Sequence, residues 1–198
     1  GLMRGKRIPA DQWPRICGSG NALAMSLFTM DMTCDVWETP VVGFTNGFPD
    51  CHIFPMHPPV AVPWEPGVAM CFARAEGMDH GPLTVDPRQA LLRQVERAAA
   101  IGIDLQVGTE LEFYLLDPDT GRPRDKGNDC YGLARAAELE PVLGPMRREL
   151  AEMGIPIEQS NPEYAAGQVE VNIRYDSAMI AADRVITVSY THLTLPTI

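Results

Sequence analysis

The sequence predicts an α+β protein in two parts, and three observations carry that reading. Residues 1–83 are β-prone and marked by proline-rich loops; a sharply capped helix opens at Asp86; beyond residue 100, helical patterns alternate with strands of period two. At 198 residues the chain is long enough for one substantial domain or two small ones.

In the first part, Met3-Arg4-Gly5-Lys6-Arg7 reads as the end of a strand and residues 10–17 as a short helix or turn. Ala24 to Met32 is apolar enough for a core strand. From Pro40 to Pro66, proline and glycine break any helix, and Val68 to Ala75 reads as a further strand. Asp86-Pro87-Arg88-Gln89 then supplies an N-cap and a proline at the first helical position, with glutamine three residues after the cap. Leu91, Leu92, Val95, Ala98 and Ala99 repeat at helical spacing until Gly102 stops the helix.

The second part opens with a strand over residues 105–116. A helix over residues 136–153 ends at Gly154, with Pro141 and Pro145 inside it. A short strand over 155–158, a longer one over 167–175 and the start of a helix near Met179 follow. Residues 188–198, threonine-rich and β-prone, interrupt that last helix. They resemble a translated sequencing adapter and are expected to be a non-native tail.

Composition narrows the function classes. The net charge of −10 offers no basic footprint for nucleic acid, and no apolar run reaches membrane-spanning length. The five cysteines are widely and irregularly spaced without a C-x-x-C pair, as expected of reduced thiols in a cytoplasmic protein. His52 and His57 flank a proline-bearing loop and find no third ligand of their class nearby.

Carboxylates in strands are the distinctive feature. Glu110 and Glu112 share one face of an apolar strand, because side chains alternate across a strand. Taken alone, the pair suits a cation site and the wet face of a half-exposed antiparallel sheet equally well. Glu170 repeats the oddity between two valines, and Glu163 precedes it across a small-residue turn. Two such clusters favour a cation site, and all-oxygen donors favour Mg²⁺ or Mn²⁺ over zinc. Without a cation, some of the four would take up protons.

Gly108-Thr109-Glu110-Leu111-Glu112-Phe113-Tyr114, followed by Asn161-Pro162-Glu163-Tyr164-Ala165-Ala166-Gly167-Gln168-Val169-Glu170-Val171-Asn172, resembles the glutamine synthetase superfamily, in particular its γ-glutamylpolyamine synthetase branch. The resemblance implies an N-terminal β-grasp domain over residues 1–83 and the first part of a catalytic domain with a curved antiparallel sheet over residues 84–187. It implies that Glu110 binds the metal facing the nucleotide phosphates, and that Glu112, Glu163 and Glu170 bind the metal beside the amino acid. Glu158 falls at a nucleotide-contacting position, and Asp50 at that of an aspartate lent to a neighbouring subunit. A loop-capping role suits Asp50 equally.

The implied reaction uses ATP to phosphorylate the glutamate side chain, and an amine then displaces phosphate. A polyamine such as putrescine is the expected acceptor; ammonia, or a non-catalytic scaffold role, are the alternatives. The parent is expected to form a homo-oligomeric ring. No downstream histidine-containing metal loop or arginine clamp follows residue 170, so this chain is expected to be an inactive fragment with no catalytic residue assigned beyond the ligands.

Overall fold

The computed structural model describes residues 3–124 and 129–194. The chain divides into two compact units: Gly1–Val60 with Ala69–Ile103, and Ala61–Val68 with Asp104–Ile198.

The first unit is built on a three-stranded antiparallel sheet in the order β1 (Asn21–Ala24), β2 (Asp50–Pro55), β5 (Ala73–Glu76). Leu23 pairs with Cys51 and Ile53 with Ala75, so alternation sends these four to one face. There they meet Met25, Val42 and Leu83, the rest of the buried core. The opposite face carries His52, Phe54, Arg74 and Glu76, with the Arg74 guanidinium 4.9 Å from the Phe54 ring centre and 2.9 Å from Glu76 Oε1. Helix α1 (Trp13–Ser19) ends at Gly20, where φ is +69° and an added Cβ would lie 2.9 Å from the Phe54 ring.

Three expectations for this region are corrected. Residues 3–9 form no strand. The expected strand over Ala24–Met32 stops at Ala24 and becomes a 3-10 helix over Met25–Thr29. Met25 donates its N–H to Pro49 rather than to a ladder, and Met25 and Phe28, three apart, turn into one core. The expected strand over Val68–Ala75 is split into β4 (Ala69–Met70) and β5, because the Phe72 N–H is taken by His57 Nε2 at 3.2 Å. Within the proline-rich stretch, which had no strand assigned, lie β2 and the two-residue β3 (Val60–Ala61).

Helix α2 (Pro87–Ala100) follows its sequence signals. The buried Asp86 side chain accepts from the Arg88 N–H at 2.9 Å, and Gly102 at φ +78° closes the other end.

The second unit holds the antiparallel sheet β6 (Gln106–Tyr114), β8 (Gln168–Ser177), β7 (Ile157–Pro162), with β8 central. Phe113 lies opposite Val169 and Leu111 opposite Val171, while Ile173 pairs with both Thr109 and Ile157. This apolar face packs on Leu139, Leu143 and Met146 of α3 (Leu133–Glu152), on Leu150 of the same helix, and on Val188 of α4 (Ala178–Thr194). Gly154 at φ +77° lets the Ile155 N–H reach back to Leu150 O and end α3.

Helix α4 continues through the point where the sequence suggested a break. Ala181, Val185 and Val188 recur at i, i+4 and i+7; Ala181 and Val188 are fully buried, and Val185 packs beside Val188. Helix packing overrides the β-propensity of the threonines, and Tyr190 donates to Glu65 Oε2 at 3.2 Å. The last part of the expected tail, residues 195–198, lies outside the described residues.

Candidate functional site

The polar face of the β6-β8-β7 sheet carries the predicted carboxylates in rows. Glu112 stands directly opposite Glu170, which on its other side stands opposite Asn161. One row along, Glu110 faces Asn172, and Asn172 faces Gln159. Antiparallel partners share a face, so the register alone places Glu110, Glu112 and Glu170 together.

Glu163 joins them through a tight turn at the end of β7. Its N–H donates to Gln168 O at 2.9 Å, and the Gln168 N–H donates to Ala165 O at 3.0 Å. Gly167 has φ +73°, and a Cβ there would lie 2.8 Å from Leu115 O. The turn folds Glu163 back over the sheet, where the Asn161 amide donates both to Glu163 Oε1 at 2.9 Å and to Glu170 Oε2 at 3.3 Å.

Glu163 and Glu170 are 8% and 7% exposed, which is costly for two carboxylates side by side. The hydrogen bond to Glu170 raises the Glu163 carboxyl above the usual range, with burial adding to it. Burial also pushes Glu170 upward, but hydrogen bonds from Glu163, Asn172 and Asn161 outweigh it and hold Glu170 low. The two carboxyls are thus pushed in opposite directions, Glu163 up and Glu170 down, as befits acids held side by side.

Glu110 and Glu112 are exposed, and Glu112 Oε2 accepts from Gln168 Nε2 at 2.5 Å. Glu158 is the extra residue where the register slips between Ile157 and Gln159, and it is exposed. Asp50 stands exposed on β2 in the first unit, opposite Ala24.

Among the described residues, no three His, Cys, Asp or Glu side chains converge as a metal site. The carboxylates are tied instead to Asn161, Asn172 and Gln168. That arrangement still suits a hard divalent cation. The donors are all oxygen, and two of the acids, Glu163 and Glu170, are buried side by side. The three amides were not singled out from sequence, yet period-two spacing from Glu170 marks Gln168 and Asn172 as its neighbours on the same face. A separate cleft of about 250 Å³, lined by Gln106, Arg174, Tyr175, Asp176 and Arg184, lies toward the other end of β6 and β8.

The family model described as the glutamine synthetase catalytic domain matches residues 84–194. The chain belongs to the glutamine synthetase family. It is 28% identical to a glutamate–isopropylamine ligase from a Pseudomonas species over 95% of this chain and 44% of that protein. Over 62% of the chain it is 36% identical to a γ-glutamylethanolamide synthetase of Streptomyces coelicolor, covering 29% of the latter. Among solved structures, an ADP complex of GmaS superposes with a TM-score of 0.77 at 26% identity, over 96% of this chain and 42% of that one. The chain thus spans less than half the length of these relatives, and the carboxylate face lies wholly within the segment that the glutamine synthetase model matches. Among the described residues, no helix is long and apolar enough to cross a membrane.

Proposed function

We propose that this chain is part of an ATP-dependent ligase that joins the side-chain carboxylate of glutamate to a primary amine. The observation that carries the reading is the carboxylate face itself: Glu110, Glu112, Glu163 and Glu170 gathered on one side of a sheet in a glutamine synthetase catalytic segment. Glu112, Glu163 and Glu170 would hold a Mg²⁺ or Mn²⁺ ion on the amino-acid side. Glu110 would hold a second on the nucleotide side, with Glu158 contacting the nucleotide; the ADP named for a solved relative supports nucleotide binding by the parent.

The bound cations would supply charge neutralisation for phosphate oxygens. The chain's own residues orient the acids. Asn161 fixes Glu163 against Glu170, and Gln168 holds Glu112 in line beside them. The glutamate side-chain oxygen attacks the γ-phosphorus of ATP, ADP leaves, and the amine nitrogen then displaces phosphate from the acyl carbon and loses a proton.

Relatives named for isopropylamine and ethanolamide support a short primary amine as acceptor, a class that includes putrescine at its longer end. We place in the same reading a cytoplasmic homo-oligomeric parent with the first unit as a β-grasp domain that lends Asp50 to a neighbouring subunit. Met32, Trp37 and Phe44, exposed on that unit by 73%, 67% and 80%, support an interface there.

The test is phosphate release by the whole protein carrying this segment, given ATP and glutamate with ammonia, methylamine, isopropylamine, ethanolamine or putrescine in turn. Release that needs both glutamate and a short amine is the expected result, with no product from the 198-residue chain alone. Preference for ammonia would make the protein a glutamine-forming enzyme, and release independent of glutamate would refute the reading.

A further inference from the structure

The carboxylate sheet ends on an open edge. In the order β6-β8-β7, strand β6 is hydrogen-bonded along one side only. Residues of an antiparallel pair alternate between those that bond across it and those whose N–H and C=O point away. The Leu115 N–H donates to Gly167 O at 2.8 Å, so Leu115, Phe113 and Leu111 bond toward β8 over an unbroken register. Glu110, Glu112 and Tyr114 therefore turn their backbone groups outward, and among the described residues no backbone partner meets them.

Such an edge is a template for another strand, and folded proteins blunt it with proline, lysine, a bulge or a short length. The opposite edge, β7, is six residues long, slips register after Ile157 and ends in Pro162. Strand β6 runs for nine residues without proline or lysine, and its own slip lies before Thr109, leaving Thr109 to Tyr114 regular. No residue of β6 is buried, whereas Val169 to Ile173 of the central strand all are.

We infer that the open edge of β6 docks a further strand, supplied by the part of the parent protein that this chain lacks. The inference rests on the reading of the chain as a segment of a longer ligase. The chain spans 44% of the isopropylamine ligase it matches, so more than half of such a protein lies outside it. Charge decides against a second copy as the occupant. Strand β6 paired antiparallel with itself about Leu111 would set Glu110 against Glu112 twice, and like charges directly opposed are destabilising. The incoming strand must instead face the two acids with neutral or basic side chains. Its main chain bonds to Glu110, Glu112 and Tyr114, as an extended segment adds to a sheet edge, and widens the carboxylate face by one strand.

Hydrogen–deuterium exchange at residue resolution tests this in the 198-residue chain and in the whole parent. The Glu110, Glu112 and Tyr114 amides should exchange freely in the chain and about a hundredfold or more slowly in the parent, with Leu111 and Phe113 protected in both. Equal exchange of the three outward amides in the two proteins overturns the inference. Protection in the short chain that grows with its concentration puts a second copy on the edge and overturns it too. Tyr114→Pro gives a second measurement, since it removes an N–H that β8 does not use. It should lower the Tm of the parent by several degrees more than that of the short chain, and an equal loss counts against the docked strand. Neither readout uses catalysis, so a parent without ligase activity would refute the functional reading while exchange alone decides this one.

Discussion

The two faces of the β6-β8-β7 sheet are made by the same strands, yet they do opposite work. On one, Leu111, Phe113, Val169, Val171 and Ile173 interlock with α3 and α4 and exclude water. On the other, the residues between them place Glu110, Glu112, Glu170 and Asn172 in facing rows, with Glu163 folded over the top. The apolar face stabilises the unit by burial. The polar face holds acids at close range, at a cost in stability. Adjacent residues on one strand should therefore respond to substitution in opposite ways.

The largest effect is expected from charging the apolar face. Val171→Asp buries an unpaired carboxylate at a position 1% exposed, and should cost about 4 kcal/mol or more in urea unfolding of the second unit. Full retention of stability would erase the distinction between the faces. Gly167→Ala forces a side chain into left-handed backbone and against Leu115 O, with an expected loss of about 1–2 kcal/mol. Because that turn positions Glu163, Mn²⁺ should also stabilise this variant less than wild type in thermal melts.

The opposite shifts of Glu163 and Glu170 give the polar face a pH signature. Glu163, raised by its bond to Glu170, lends stability that is full below the usual glutamate value and lost as pH rises through its folded value. Glu170, held low, lends stability present above the usual value and lost as pH falls through its own. Metal-free chain should therefore be most stable where Glu163 is protonated and Glu170 ionised. The Mn²⁺-induced rise in Tm should grow as pH climbs, measured between about pH 4 and 8. Glu163→Gln should flatten the metal-free dependence; an unchanged profile would mean the pair does not set it.

Next to Val171, the substitution Glu170→Gln removes charge from the crowded face. It should leave metal-free stability within about 1 kcal/mol of wild type while abolishing stabilisation by Mn²⁺. The smallest effect belongs to exposed Glu110: Glu110→Gln should change stability by no more than about 0.5 kcal/mol, its consequence appearing in ion and nucleotide binding. A large stability loss at Glu110 would show that its role is structural.

Much of the second unit was legible because local signals and packing agree there. The alternation around Glu110 and Glu170 and the stop at Gly154 lie where their chemistry requires, as do the Asp86 cap and Gly102 stop of α2 in the first unit. In the first unit, tertiary contacts outvote local pattern. Met25 and Phe28 look strand-like in an apolar run but turn into the core at helical spacing, and His57 takes the N–H that would have continued a strand through Phe72. The start of α4 near Met179 was legible, but its continuation hid behind β-prone threonines until the burial of Val188 disclosed its face. At the site Glu110, Glu112 and Glu170 were visible as charges out of place in strands, and Glu163 by its place before a small-residue turn. Asn161 was not, and although Gln168 and Asn172 share Glu170's face by period-two spacing, the register is what sets these amides beside the acids.

The account's central claim is that this polar face holds a divalent cation between its carboxylates. Crystals of the chain grown with Mn²⁺ at neutral pH test it by the anomalous signal of the metal. The account predicts a peak on the β6-β8-β7 face contacting carboxylate oxygens of Glu112, Glu163 and Glu170. Manganese peaks confined to other surfaces, with Glu163 and Glu170 still bonded to each other, would contradict it.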